Sequence, residues 1–221
     1  MRRYYSFIFY TIIAVGVLMG LIWIGRSNYL LFHAITEFIS IAIGIGVFTV
    51  TWNSRHYLQN GYLRFIGYSA GFVAAVDLLH TLAYKGMGVF PGIGANLATQ
   101  LWLAARFMHS ASYLLAPLFL LVSIPVVYSI SGLVVVYTGL LLSIFLWNVF
   151  PAAYIEGQGL TPFKVGSEYV IIATYLLALA LLHTRRKHFD RRVFLLLAGS
   201  IAVSSLADLA FTLYISVYDW V

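Results

Sequence analysis

Histidines and carboxylates stand on shared faces inside apolar runs of this sequence. His33 and Glu37 are four residues apart, and Asp77 and His80 are three residues apart. Side chains at these spacings project from the same side of an α-helix. Imidazole together with carboxylate is a donor set for Zn, Fe, Cu or Ni rather than for Ca or Mg. The candidate metal ligands are therefore His33, Glu37, Asp77, His80 and His109.

A third apolar run adds a basic group and aromatic side chains. Arg106 and His109 are three residues apart, and Trp102 and Tyr113 extend their face with further hydrogen-bonding groups. Asp208 adds a carboxylate in the last run. A charged side chain at mid-membrane costs about 2.5–3.5 kcal/mol on insertion scales, so we expect these groups to face the bundle interior and to pair. The candidate ligand-binding residues are Arg106, Asp208, Trp102 and Tyr113.

The charges of these groups decide what a shared centre can hold. We predict that Arg106 neutralises Glu37 or Asp77, because a lone guanidinium at that depth is too costly. Three carboxylates and one guanidinium leave two negative charges, which a divalent cation, imidazolium formation or carboxylate protonation removes. We also predict that the His33 and His80 rings converge, to hold a transition metal or a haem. A small organic ligand, a proton relay and a self-satisfied network without a ligand are the alternatives, and the cofactor stays unknown.

The elements that position these groups are membrane helices. Of the 221 residues, 62% are apolar and only 9% are charged, which is too few for the surface of a soluble domain. Apolar runs of about 20 residues match a hydrocarbon layer roughly 30 Å thick. We predict an all-α, polytopic transmembrane bundle that forms a single domain over residues 1–221. Seven spans are expected, at about 5–24, 29–50, 63–83, 96–121, 127–149, 167–183 and 193–217.

Basic residues orient the spans. Nine arginines and lysines fall on one side and three on the other, which places the amino terminus in the cytoplasm. The +6 charge therefore indicates a membrane and not a nucleic acid. The carboxyl terminus then lies outside, so a cytoplasmic output would need an eighth span. The outer loops 84–96 and 151–166 are rich in Gly and Pro, and they are either ordinary connectors or a cap over a site.

Four segments carry a resemblance to a known family: FHAITEFISIAIGIGVFTVTWNSR, DLLHTLAYKGMGVF, NLATQLWLAARFMHSASYLLAP and GLTPFKVGSEYV. Together they resemble the membrane-associated sensor domain of the third MASE class, over about residues 30–215. Members of this family sit at the amino end of bacterial histidine kinases and diguanylate cyclases. The resemblance implies a signal-input domain in the bacterial inner membrane, with no catalysis in this portion and a cytoplasmic output domain as partner.

Other functions make different demands on the sequence. A small-solute or ion transporter would show internal repeats or paired broken helices, and neither is visible. A metal-dependent membrane enzyme would use HAITE and DLLH, but no strong catalytic motif accompanies them. A retinal receptor needs a buried amine, and all three lysines are placed in or beside loops. The expected partners are the lipid bilayer, a small ligand or ion from the outer side, and a second copy, although no GxxxG motif is clear enough to assign a dimer interface.

Overall fold

The computed structural model describes residues 2–92, 94–122 and 124–212, and the chain is mostly helical within these ranges. Its seven long helices there are α1 (Arg2–Ser27), α2 (Tyr29–Ser54), α3 (Gly61–Ala83), α4 (Ala95–Leu115), α6 (Val126–Phe145), α7 (Pro162–Thr184) and α8 (Arg191–Thr212). Shorter elements join them: helix α5 (Leu118–Leu121), a 3-10 turn (Arg186–His188) and a hairpin of β1 (Tyr154–Ile155) and β2 (Gly159–Leu160). The all-α class is confirmed.

Six of the seven long helices are long and apolar enough to cross a membrane: α1 from Ile8, α2, α3, α6, α7 and α8. Helix α4 is not among them because it carries Gln100, Arg106 and His109 along its length. A polytopic membrane bundle is therefore confirmed with six candidate spans. The seventh span predicted at 96–121 is not confirmed, and neither is an eighth.

Two helix boundaries differ from the edges of the predicted spans for local reasons. Helix α4 ends at Leu115 instead of continuing to residue 121, because Pro117 lacks the N–H that a continuing helix would use. Helix α7 begins at Pro162, five residues earlier than predicted, because Thr161 caps it and accepts a hydrogen bond from the Lys164 amide at 3.2 Å. The end predicted for the last span, at residue 217, lies outside the described residues.

The long helices pack as a row with α3 and α4 at its centre. Along the row α1 contacts α2, α2 contacts α3, α3 contacts α4, α4 contacts α7 and α7 contacts α8, while α6 lies against both α3 and α4. Of the span in α3, 56% is buried inside the bundle, against 6% for α1 and for α2. Helix α3 therefore carries most of the interior, and it is the element through which groups on α2 and α4 meet.

Helices α2 and α3 approach closely through glycines. A Cβ on Gly44 would lie 2.9 Å from the Cβ of Ala74, and one on Gly71 would lie 2.7 Å from the Phe48 ring. Gly67 is covered in the same way by Thr51 of α2. Gly67 and Gly71 form a GxxxG pattern that sequence reading passed over, and within this chain it serves α2–α3 packing.

Candidate functional site

His33 and Glu37 on α2 face His80 on α3 at one end of the bundle. One nitrogen of each imidazole and one oxygen of the carboxylate all lie within 4.8 Å of one another. The ring centroids of His33 and His80 are 5.4 Å apart, and their planes are nearly perpendicular. The predicted convergence of the two rings from separate helices is confirmed. We call these three residues the His–Glu–His triad.

Hydrogen bonding fixes which nitrogen of His80 carries the hydrogen. Its Nδ1 lies 2.8 Å from the carbonyl oxygen of Ala98, and a carbonyl only accepts, so Nδ1 carries the hydrogen. In the neutral imidazole Nε2 then presents a lone pair, and this atom is buried without a hydrogen-bond partner among the described residues. The Nε2 of His33 is in the same condition, and its ring stacks on Tyr84 with centroids 3.8 Å apart. Both rings are therefore held in place while their Nε2 atoms remain available.

The triad lines a cavity of about 260 Å³, which we call the outer cavity. Aromatic side chains form much of its wall, among them Tyr29, Trp102 and Phe211. The predicted ligand-binding residue Trp102 therefore shares a cavity with the triad. The hairpin residues Tyr154 and Leu160 close the cavity from one side. The second of the two glycine-rich loops thus contributes to a cap, as one of the two sequence interpretations expected.

The hairpin is tied to the first turns of α4. Asn96 Oδ1 accepts hydrogen bonds from the amides of Ala153 and Tyr154 at 2.8 and 3.0 Å. Gln100 Nε2 donates to the carbonyl oxygens of Phe150 and Pro151 at 2.9 and 3.0 Å. These two side chains hold the cap over the outer cavity. Sequence analysis missed both, because nothing in the local pattern shows that α4 meets a loop 50 or more residues away.

A third side chain joins the hairpin to α4 by charge. Glu156 Oε1 accepts a hydrogen bond from the Ala95 amide at the start of α4, at 3.1 Å, and Oε2 pairs with Lys85 Nζ at 3.4 Å. The Ala95 N–H and the Lys85 ammonium hold the pKa of the Glu156 carboxyl below its ordinary value of 4.5. The carboxylate thus accepts a hydrogen bond from a first-turn N–H that has no acceptor within α4, and its negative charge lies at the positive end of the helix dipole.

Helix α7 brings a buried ion pair to the edge of the outer cavity. Lys164 Nζ pairs with Glu168 Oε1 one turn later, and the two side chains are 4% and 0% exposed. Lys164 Nζ also donates to the Phe211 carbonyl oxygen at 2.8 Å and lies 5.3 Å from the centroid of the Trp102 ring. The ammonium is therefore compensated within the bundle by a carboxylate, a carbonyl and an aromatic face.

This ion pair corrects two sequence interpretations. Lys164 lies in the first turn of α7, beside a loop as predicted, but its amine is buried. The inference that no buried amine is available is therefore wrong, and lysine position does not exclude a retinal-type receptor. Glu168 falls inside the predicted span 167–183, yet it is absent from the groups that sequence analysis singled out. The signal was present, since Lys164 and Glu168 share a helix face at i and i+4.

Arg106 pairs with Asp77, as predicted. Its Nη2 lies 3.3 Å from Asp77 Oδ1, which joins α4 to α3. Asp77 is therefore engaged with a guanidinium and does not belong to the triad. His109 does not belong to it either, because its Nδ1 lies 2.6 Å from the Tyr175 hydroxyl. Spacing predicted that Asp77 and His109 are metal ligands, whereas in the bundle they contact Arg106 and Tyr175.

Asp77, Arg106, His109 and Tyr113 line a second cavity, of about 330 Å³, which we call the midplane cavity. The structure thus divides the single centre expected from sequence between two cavities. Asp208 is buried in α8, where its Oδ2 has no hydrogen-bond partner among the described residues, and it is among the lining residues of neither cavity. The division arises because Asp77 lies one helical turn below His80 on α3 and faces α4 at a different depth.

Comparison with known proteins finds one family. The family model of a membrane-associated sensor domain, MASE3, matches residues 24–221. No curated protein and no solved structure matches the chain.

Proposed function

The chain belongs to the MASE3 family of membrane-associated sensor domains, and from that premise we propose that it senses a transition-metal ion bound by the His–Glu–His triad. A sensor domain is not itself catalytic. The signal passes to a cytoplasmic output module of the histidine-kinase or diguanylate-cyclase kind. In this proposal α4 is a seventh span, the amino terminus is cytoplasmic and the membrane is the bacterial inner membrane.

One observation carries the proposal: one nitrogen of each of two imidazoles and a carboxylate oxygen lie within 4.8 Å of one another, from two helices, and the Nε2 atoms of both imidazoles are buried without a hydrogen-bond partner among the described residues. Two histidines with one carboxylate form a common metal-binding set, found with Zn²⁺ and with non-haem Fe²⁺. The Ala98 carbonyl supports this, because a second hydrogen bond from a ligating imidazole fixes its tautomer and raises its basicity. Three protein ligands leave coordination positions open toward the outer cavity.

The charges buried in the spans favour a divalent ion. Apart from Arg64, which lies in the first turn of α3 at the opposite end of that helix from His80, the buried and half-buried carboxylates of the described α2, α3, α4, α7 and α8 outnumber the buried and half-buried cations by two: Glu37, Asp77, Glu168 and Asp208 against Arg106 and Lys164. A divalent ion at the triad would neutralise this excess, which is otherwise costly in a low-dielectric interior.

A single ion fits the triad better than a haem. Tyr84 stacks against the His33 ring, and the Glu37 carboxylate stands within 4.8 Å of both histidine nitrogens. A porphyrin between the two rings would have to displace both groups. The alternative in which His33 and His80 form an axial pair therefore has less support than shared ligation of one ion.

Metal binding provides a mechanical signal. Ligand distances near 2.0–2.2 Å in a tetrahedral site place neighbouring donor atoms roughly 3.3 Å apart. Donors that lie up to 4.8 Å apart must then move together by up to about 1.5 Å. Because His80 belongs to α3 and the other two donors to α2, ion binding draws these helices closer. Shifts of about 1–2 Å between helices are a known form of signalling transition.

The test is metal binding by the purified protein. After chelation, titration with Zn²⁺ and Co²⁺ in a calorimeter is expected to show one ion per chain, and the Co²⁺ complex should show a visible ligand-field spectrum. His33→Ala, His80→Ala and Glu37→Gln should each weaken binding by at least about 100-fold, while the exposed His56→Ala should not. Wild-type affinity in the two histidine variants would reject the triad, and an absence of binding by the wild type would reject the metal altogether.

A further inference from the structure

The midplane cavity lies halfway through the bundle and is separate from the triad. Its walls come from the centres of α2 (residues 40–47) and α3 (residues 66–77), with Arg106, His109 and Tyr113 of α4 and Ser200 of α8. Apart from Tyr113, which is two residues from the end of α4, each contributing segment is near the middle of its helix. The cavity therefore lies near the centre of the hydrocarbon layer.

The rim of this cavity faces lipid. Ile43 and Val47 on α2 line it and are 62% and 42% exposed. Since α2 is an apolar candidate span in which only Ile41 and Thr51 are buried, its exposed side chains face acyl chains and not water. Ser200 of α8, also exposed, stands at another edge of the cavity. A molecule dissolved in the bilayer can thus enter sideways.

The floor of the midplane cavity is polar. Arg106 and His109 are only half-buried, so groups of both can be reached from the cavity. The Tyr113 hydroxyl lies 3.3 Å from Ser200 Oγ, a bond that uses one of the two O–H groups and leaves the other for an occupant. An acyl chain in the cavity would desolvate this floor without giving it a hydrogen bond. The occupant must therefore carry polar atoms at its inner end.

The depth restricts which polar atoms these can be. Phospholipid head groups lie outside the hydrocarbon layer, which is about 30 Å thick, and ionised groups are costly at its centre. A neutral molecule with oxygen acceptors meets both limits, because the guanidinium, the hydroxyls and an imidazole N–H can all donate. A volume of about 330 Å³ suits a substituted ring whose apolar tail leaves past Ile43.

We infer that the midplane cavity binds a lipid-soluble quinone. The ring carbonyls accept hydrogen bonds from the Arg106, Tyr113 and Ser200 side of the floor, and the tail leaves past Ile43 into the bilayer. The triad does not line this cavity, so the proposal of a quinone site does not depend on metal binding.

The experiment uses the full chain in nanodiscs and a photoreactive short-chain benzoquinone. Illumination followed by peptide mapping is expected to place the label on residues 40–47 or 66–77, and an excess of unlabelled short-chain benzoquinone should remove it. Label elsewhere, or label that the competitor does not remove, would overturn the inference. A cavity that holds only water gives one of these two results.

Variants distinguish the site from general partitioning into lipid. Ile43→Phe narrows the rim and should weaken competition by at least about tenfold. Ile45→Phe, at a neighbouring exposed position outside the cavity, should leave competition unchanged. Tyr113→Phe keeps the shape of the floor, removes one donor and should weaken binding about fivefold. Thermal unfolding checks that each variant is folded, and Ser40→Phe replaces Ile43→Phe at the rim if the latter is not. Equal competition in the rim variant and in Ile45→Phe would refute the site.

Discussion

The ion pair between Arg106 and Asp77 offers a quantitative test of how the bundle tolerates charge. The two atoms are 3.3 Å apart, and the side chains are 21% and 7% exposed. Unit charges at that separation interact by about 5 kcal/mol at an effective dielectric constant of about 20, and desolvation offsets much of this gain. Removal of one partner leaves the other buried and uncompensated. Arg106→Met is therefore expected to lower the free energy of unfolding by about 3–5 kcal/mol.

A double-mutant cycle isolates the pair. Asp77→Asn keeps the shape of the side chain and removes its charge, so the combination with Arg106→Met leaves no lone ion of this pair. We expect the double variant to cost about 1–3 kcal/mol less than the two single changes combined. Reversible unfolding in mixed micelles, followed by circular dichroism, gives the four free energies.

The exposed Arg191 supplies the control for this cycle. Arg191→Met should change the free energy of unfolding by no more than about 0.5 kcal/mol, and it should show no coupling to Asp77→Asn. If the costs of Arg106→Met and Asp77→Asn simply add, the two charges do not compensate each other, and the reasoning about charge pairing at this depth is refuted.

Three further predictions concern the hairpin and the helix contacts. Because the pKa of Glu156 is lowered, its ionised form stabilises the fold above pH about 4.5, and this contribution is lost as the pH falls through the lowered pKa. The melting temperatures of the wild type and of Glu156→Gln should therefore differ at neutral pH and converge in acid. A difference that stays constant with pH would count against the contact. Asn96→Ala should speed hydrogen exchange of the two hairpin amides that it holds by about tenfold, whereas equal exchange in this variant and in Asn53→Ala would show that the hairpin is held otherwise. Gly44→Ala should lower the free energy of unfolding by about 1–3 kcal/mol, because the added Cβ would meet Ala74 of the facing helix. Gly46→Ala, whose added Cβ would have nothing within 4 Å, should be neutral or stabilising. The reverse order in thermal unfolding would contradict the α2–α3 packing.

Local patterns in the sequence predicted much of this molecule. Long apolar runs predicted the helices, because a hydrocarbon layer demands that length. The spacing of His33 and Glu37 predicted one face of the triad, and the cost of a lone guanidinium predicted a carboxylate partner for Arg106. Each of these inferences depends on one helix or on one general energetic demand. None of them requires knowledge of which helices are neighbours.

The remaining features depend on contacts between distant segments. Asp77 pairs with α4, whereas His80 contacts both α4 and α2; this follows from the row in which the helices pack, and spacing on α3 alone does not give it. The hairpin is held by Asn96 and Gln100, whose partners lie 50 or more residues away. The early start of α7 was readable from Thr161 and Pro162, and it would have placed Lys164 within a helix.

The position of Asp77 and His80 on one helix has a consequence for how the two cavities would work together. They lie three residues apart on α3, so a rise of 1.5 Å per residue separates them by about 4.5 Å along a single stiff rod. A displacement of α3 that tightens the outer cavity must also move a wall of the midplane cavity. Thermodynamic reciprocity then applies: if an occupant of one cavity changes affinity in the other by some factor, the second occupant changes the first affinity by that same factor. A domain built this way would report the joint presence of two chemical signals through one helix.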